Sequence, residues 1–304
     1  MIPQIRVALN DLRRIVLCKL KEPWFWNAYY IVVPDPKMAS AVPITDKQIQ
    51  NEIIAELNVK KLDLKNIEIN TSDYKEYMRK AEYKKFLGYY FKFGILGRVL
   101  IEKSLEHYLA SKLLCLSEND VYIDIASSNS PTPEIYHKLF GCKCYRQDLI
   151  FPEGVKGNVI GGYANNMPVA DGFASKMALH CSFEHFEGDL DIRFIKEAQR
   201  VLAEGGKLCI LPLYLFTKYA IQTNPVILPK GGMPFENDAI LYCAKGSGNR
   251  HSRFYDVNHF ISRVINNTNN LKLTLYVVQN EKAVHPSCYI KFIALFEKEL
   301  NTSL

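Results

Sequence analysis

From Val121 onward the apolar residues fall into short runs bounded by turn residues, alternating with stretches of helical period. Strands are predicted over 121–125, 143–147, 158–161, 175–181 and 207–213, and helices over about 133–140 and 189–203. Strands alternating with helices give a parallel sheet covered on both faces, with ligands at the carboxyl ends of its strands. The tail adds a helix near Asp256 to Asn266 and strands at 271–278 and 288–297. Only a turn separates those two strands, which predicts an antiparallel hairpin at one edge of the sheet.

The first 115 residues read differently. Ile5, Leu9, Leu12, Val16 and Leu20 form a helical stripe flanked by Arg6, Arg13, Arg14, Lys19 and Lys21, ended by Pro23 and followed by Trp24, Phe25, Trp26, Tyr29 and Tyr30. Such a basic amphipathic helix either docks on protein or lies on an anionic membrane. Residues 34–72 read as a loose connector with a short helix near Asp46 to Leu57. Residues 73–116 are helical and rich in aromatics (Tyr74, Tyr77, Tyr83, Phe86, Tyr89, Tyr90, Phe91, Phe93), with Gly94 and Gly97 dividing them into two helices. Most of these rings are expected in the core, and some as a cap over a substrate pocket. The division is a helical N-terminal extension and cap over 1–115 and a sheet domain over 116–304.

Charge and cysteines narrow the function classes. The net charge is +6, all of it in residues 1–115, where 19 Lys/Arg face 13 Asp/Glu; the remainder holds 19 of each. With no Lys/Arg-rich run, nucleic acid is not an expected partner. The eight cysteines form no Cys-x-x-Cys pair and mostly sit in apolar runs, as reduced thiols of a cytoplasmic protein do. No metal is expected, since no carboxylates cluster.

The chemistry concentrates in Val121 to Asp148. After the apolar run Val121-Tyr122-Ile123-Asp124-Ile125 come five small residues, Ala126-Ser127-Ser128-Asn129-Ser130, which leave room for a ligand against the backbone. Thr132-Pro133-Glu134 reads as a helix start with Thr132 as the N-cap. The turn therefore aims free N–H groups and a positive dipole end at the ligand side. Asp148 follows Asp124 by 24 positions, at the end of the next strand, where an acid is placed to take a ribose diol.

Three further segments carry a family resemblance over roughly residues 100–297: Asn166-Met167-Pro168-Val169, then Ser182-Phe183-Glu184-His185-Phe186, then Ala198-Gln199-Arg200-Val201-Leu202-Ala203-Glu204-Gly205-Gly206-Lys207-Leu208. In these the chain resembles a class I S-adenosylmethionine-dependent methyltransferase of the small-molecule kind often labelled type 11. The resemblance implies an α/β, doubly wound, mostly parallel Rossmann-like sheet. It also implies S-adenosyl-L-methionine as cofactor and a small-molecule or carbohydrate-linked acceptor. Gly205-Gly206 has its own reason as the left-handed end of a helix before a strand.

The departures are specific. Where the family has acid-x-Gly-x-Gly-x-Gly, this chain has Ala126, Ser128 and Ser130 in the glycine places, so any left-handed position there is strained. Where the family has Gly-Asp-Ala at the adenine amino group, this chain has Gly162-Tyr163-Ala164. The implied cofactor-binding set is Asp124, Ala126, Ser127, Ser128, Asn129, Asp148, Leu149, Tyr163, Ala164, Asn165 and His180. Replacing Asp148 is expected to leave the fold intact, because it ends a strand. His180, Glu184 and His185, just past the fourth strand, are the catalytic candidates; a histidine near neutrality suits deprotonation of an acceptor hydroxyl. Tyr214, Phe216 and Tyr219 suit stacking on a sugar or ring, and the basic stretch Lys245 to Arg253 reads as a surface loop or a lid for an anionic acceptor. The alternative to an enzyme is a catalytically inactive methyltransferase-like interaction protein. A nicotinamide-dependent dehydrogenase fits poorly, since Gly-x-Gly-x-x-Gly does not follow the first strand.

Overall fold

The computed structural model describes residues 46–96, 99–224, 233–243 and 249–300, with Val16 and Leu20, and only the backbone of Cys243. Most of the predicted front helix, its aromatic cluster, Gly97, Pro225 to Gly232 and Lys245 to Gly248 lie outside these residues.

Among the described residues nine strands form the main sheet, and in chain order they are β1 (Leu64–Ile67), β2 (Val121–Ile125), β3 (Lys143–Asp148), β4 (Gly154–Lys156), β5 (Val159–Gly161), β6 (Ala174–His180), β7 (Leu202–Leu211), β11 (Leu271–Val278) and β12 (Phe292–Lys298). The spatial order is β1-β11-β12-β7-β6-β2-β3-β5-β4. β2 pairs in parallel with both β3 and β6, and β6 in turn with β7, while β12 runs antiparallel to β7 and β11. This is the doubly wound, mostly parallel α/β sheet expected, with its switch point at β2 and β6. Three further strands, β8 (Ala220–Thr223), β9 (Ile240–Cys243) and β10 (Ser252–Phe254), form a small sheet of order β10-β8-β9.

The period-2 alternation along each strand divides the core in two. Ile123, Ile125, Met177, Leu179, Leu208 and Ile210 point to one face and pack with Phe194, Ile195, Phe260, Ile49 and Ile53. Tyr122, Ala178, Cys209 and Leu211 point to the other and pack with Leu105, Leu109, Ile135, Tyr136, Tyr74 and Tyr77. The first face is covered by α1 (Lys47–Val59), α5 (Leu190–Val201) and α6 (Val257–Arg263); the second by α2 (Thr71–Ala81), α3 (Leu100–Leu114) and α4 (Thr132–Phe140). Asp46 caps α1 by accepting from Gln48 and Ile49 amides, and Asn70 caps α2 in the same way.

Several expectations are corrected. The β11–β12 hairpin is not an edge: β1, in the supposed connector, pairs with β11 through Leu64↔Leu275 to Ile67↔Val278. The left-handed Gly205 (φ 68°) does not end a helix, because α5 stops at Val201 and Leu202 is extended. Glycine is required next door at Gly206, where a Cβ would lie 2.7 Å from the Ala203 carbonyl oxygen. Thr132 is not an N-cap but the first helical residue; its amide is met instead by the Ser130 hydroxyl at 3.2 Å. Between Tyr83 and Leu96 the aromatic stretch is a 3₁₀ turn, a short helix and a π-helical segment, and Tyr74, Tyr77, Tyr83 and Tyr89 are buried while Phe91 is exposed.

Candidate active site

The carboxyl ends of β2, β3 and β6 converge on the Ala126–Ser130 turn. Ala126 (φ 52°) and Ser128 (φ 48°) are both left-handed, the conformation that glycine adopts without cost and other residues at about 1–2 kcal/mol each. The strain is held by hydrogen bonds. Ala126 N–H donates to the Gln147 side-chain oxygen at 3.2 Å, Ser127 N–H to the Gln147 carbonyl at 2.9 Å, and Ser128 N–H to Asp148 Oδ2 at 2.7 Å. Gln147, which the sequence reading missed, also donates through Nε2 to the Gly162 carbonyl at 2.6 Å and so ties the turn to the loop after β5.

Asp148 is buried, and its second oxygen accepts from Ile150 N–H at 3.0 Å. Burial raises its pKa, against the amides of Ile150, Ser128 and Leu149. Leu149, next in the chain, and Tyr163, in the loop after β5, are exposed, at 64% and 60%. Ala164 and Asn165, in the loop after β5, are partly buried.

Asp124 is 1% exposed at the end of β2. Burial pushes its pKa up to about 7, against the opposing Ser130 hydroxyl, Arg146 charge and Tyr122 hydroxyl. Tyr122 Oη lies 3.3 Å from Asp124 Oδ1 and 3.2 Å from His180 Nε2. His180 is packed edge-on against His107 at 4.7 Å, and burial pulls its pKa down to about 3, so it is neutral near pH 7. Asp124 Oδ2, Ser127 Oγ, Asn129 Oδ1 and His180 Nδ1 are all buried and have no hydrogen-bond partner among the described residues. Buried polar atoms are ordinarily paired, so four orphans around one strained turn mark the place where a polar ligand belongs.

The other catalytic candidates sit on a 3₁₀ turn after β6, Phe183–His185. His185 Nδ1 lies 2.7 Å from the His251 carbonyl, which makes it the donor and leaves Nε2 3.5 Å from Glu184 Oε1. Glu184 is buried, and its Oε2 has no partner among the described residues.

The sequence reading also missed a polar nest beside this turn. Cys181 leaves β6 in the left-handed region (φ 53°), with its thiol 3.2 Å from Tyr214 Oη and 3.9 Å from Tyr289 Oη. Lys103 of α3 places Nζ 3.2 and 3.3 Å from the two Glu106 oxygens. These residues are scattered from position 103 to position 289, and no local pattern links them.

Two proposed acceptor elements fall elsewhere. Phe216 and Tyr219 are buried, with Tyr219 stacked on His259 at 3.9 Å, so neither offers a ring to a sugar. His251, Ser252 and Arg253 are neither lid nor surface loop, since all three are buried. Arg253 donates to the carbonyls of Phe186 at 2.6 Å and Gly188 at 2.7 Å and pairs with Asp191 at 3.2 Å and with Glu236, locking the small sheet against α5.

No family model matches the chain, and no curated protein does. Solved structures do. A Burkholderia thailandensis 1,6-didemethyltoxoflavin-N1-methyltransferase, crystallised with S-adenosylhomocysteine, is 10% identical, covering 79% of this chain and 94% of its own at a TM-score of 0.44. The Bacillus subtilis protein YcgJ is 13% identical over 64% and 99%, at 0.41. A Streptomyces coelicolor geranyl diphosphate C-methyltransferase is 11% identical over 65% and 77%, at 0.40. At such identities and scores the fold rests on the strand order of this chain, and no residue role is transferred.

Proposed function

We propose that this protein binds S-adenosyl-L-methionine at the carboxyl ends of β2 and β3 and methylates a small-molecule acceptor. The observation that carries the reading is the set of orphaned buried polar atoms around the left-handed Ala126–Ser130 turn. The donor set suits the cofactor. Asp124 Oδ2 faces an ammonium, Ser127 Oγ and Asn129 Oδ1 a carboxylate and an amino group, and Asp148 keeps a lone pair on each oxygen for a ribose diol. Leu149 and Tyr163 give an apolar flank for an adenine. When bound, the cofactor supplies a methyl group on a sulfonium, an electrophile that needs alignment more than it needs a base.

The chain's own part is to position and to exclude water. Gln147 and Asp148 hold the turn, and Arg253 fixes the 3₁₀ turn that carries Glu184 and His185. His185, with Nδ1–H committed to a backbone carbonyl, holds its Nε2 lone pair 3.5 Å from Glu184 Oε1 and is the base candidate. His180 is the weaker base candidate, because burial resists its protonation and its Nε2 lies within hydrogen-bond distance of the Tyr122 hydroxyl. Nothing favours a glycan acceptor now that Phe216 and Tyr219 are in the core.

Calorimetric titration with S-adenosylhomocysteine tests the reading. Micromolar binding, weakened at least tenfold in Ser127→Ala plus Asn129→Ala, is the expected result. No binding at millimolar ligand would refute it and leave a methyltransferase-like interaction protein.

A further inference from the structure

The polar nest beside the 3₁₀ turn has more acid than base. Glu102, Glu106 and Glu184 are 1%, 0% and 4% exposed, and Lys103 is the one ammonium paired within the group. Lys103 is committed to Glu106. Glu102 accepts the Tyr289 amide at 2.9 Å with one oxygen, while its other oxygen and Glu184 Oε2 have no partner among the described residues. A buried carboxylate with a free oxygen is costly unless a cation comes to it.

Topology puts these groups on one rim. Cys181 and Glu184 follow β6, Tyr214 follows β7, and Tyr289 precedes β12, whose antiparallel course starts at the same end. α3, carrying Glu102, Lys103 and Glu106, packs across β6 and β7 beneath them. Burial raises the pKa values of Cys181, Tyr214 and Glu106, and Glu184 stands three positions after Cys181 on the same rim. The rim also abuts the Asp124–His180 pair through His107, which touches His180 and stacks on Tyr83.

We propose that this nest is the acceptor site and that the acceptor is a small organic amine, held as its ammonium by the free oxygen of Glu184 beside the rings of Tyr214 and Tyr289. This rests on the methyltransferase reading above. An anionic acceptor meets the Glu184 carboxylate, and a neutral hydroxyl leaves its unpartnered oxygen without a cation. Aromatic faces attract an organic cation. A metal cation is the poorer fit, because among the described residues no three His, Cys, Asp or Glu side chains converge as ligands. The carboxylate that holds the ammonium also takes one of its N–H protons. The acid becomes neutral, and the nitrogen keeps the electron pair as a lone pair.

The experiment titrates the full-length protein with benzylamine and with benzyl alcohol, near isosteres of which only the first is cationic at pH 7. Each titration is run with and without saturating S-adenosylhomocysteine, whose own binding is measured separately. Benzylamine is expected to bind at least tenfold more tightly than the alcohol. Glu184→Gln should bring the two within about threefold, with S-adenosylhomocysteine affinity unchanged. Equal affinities in the wild-type protein would overturn the amine acceptor even if the variant fails to fold, and would leave the methyltransferase reading standing. A preference for the amine without any S-adenosylhomocysteine binding would overturn that reading and keep the amine site.

Discussion

Asp124→Asn should stabilise the protein, and increasingly so as the pH rises. In the folded chain burial holds this carboxyl near a pKa of about 7, whereas in the unfolded chain it is an ordinary aspartate. Between those two values the folded state binds a proton that the unfolded state has released. Stability is therefore greatest below the unfolded pKa and is lost as pH rises towards the folded one. A gap of about 3 units at 1.36 kcal/mol each amounts to ~4 kcal/mol, of which ~2–3 kcal/mol falls between pH 5 and pH 8. Asparagine has the same shape and no charge to lose, and its oxygen can still accept from Tyr122 Oη. Urea denaturation of both proteins at pH 5 and pH 8 measures the difference and cancels contributions from Glu102 and Glu106, which are also raised. The variant's advantage should grow by 1–3 kcal/mol across that interval, on the order expected from the linkage relation. A pH-independent difference would refute the assignment of a buried, ligand-free carboxyl to Asp124.

Three further outcomes follow from the same geometry. Asp148→Ala should lower stability by ~1–3 kcal/mol in thermal denaturation, because it strips the acceptors from Ser128 N–H and Ile150 N–H; an unchanged midpoint would show that water replaces them. Ser128→Gly should raise stability by ~0.5–1 kcal/mol, the left-handed relief less the added freedom of glycine in the unfolded chain, with S-adenosylhomocysteine affinity held or improved. Arg253→Leu should cost ~2–4 kcal/mol by taking one of two arginines from buried Asp191 and the nearer one from half-buried Glu236, and a loss under 1 kcal/mol, read from urea midpoints, would contradict a locked small sheet.

What the sequence disclosed was what repeats locally. Val121–Ile125 is an apolar run and Ala174–His180 carries one in Met177-Ala178-Leu179, while Lys143–Asp148 was read as a strand from Cys144 and Tyr145 in the place after a helix; all three strands lie where the pattern puts them. The small-residue turn and Asp148 were legible for the same reason, since the strained positions Ala126 and Ser128 occupy the family's glycine places. β1 was not, because Leu64-Lys65-Asn66-Ile67 has only two apolar residues and owes its strand to β11, over 200 positions away. Nor was the burial of Arg253, since a Gly-Ser-rich basic stretch gives no hint that buried Asp191 and half-buried Glu236 pair with it. The Cys181–Tyr214–Tyr289 nest depends wholly on the sheet bringing three strand ends together, which no window of sequence contains.

The pairing of β1 with β11 has a consequence for the order in which the chain is built. Synthesis runs from the N-terminus, so Leu64–Ile67 emerges long before Leu271–Val278 exists to receive it. The centre of the sheet, β2 to β7, can assemble meanwhile, but β7 keeps a bare edge until β12 arrives and β1 must wait for β11. A ribosome-stalled chain ending near residue 265 would thus carry two unpartnered strand edges, the kind of surface on which neighbouring nascent chains pair. Residues 271–298 close both edges at once, so the sheet is completed only after they have emerged.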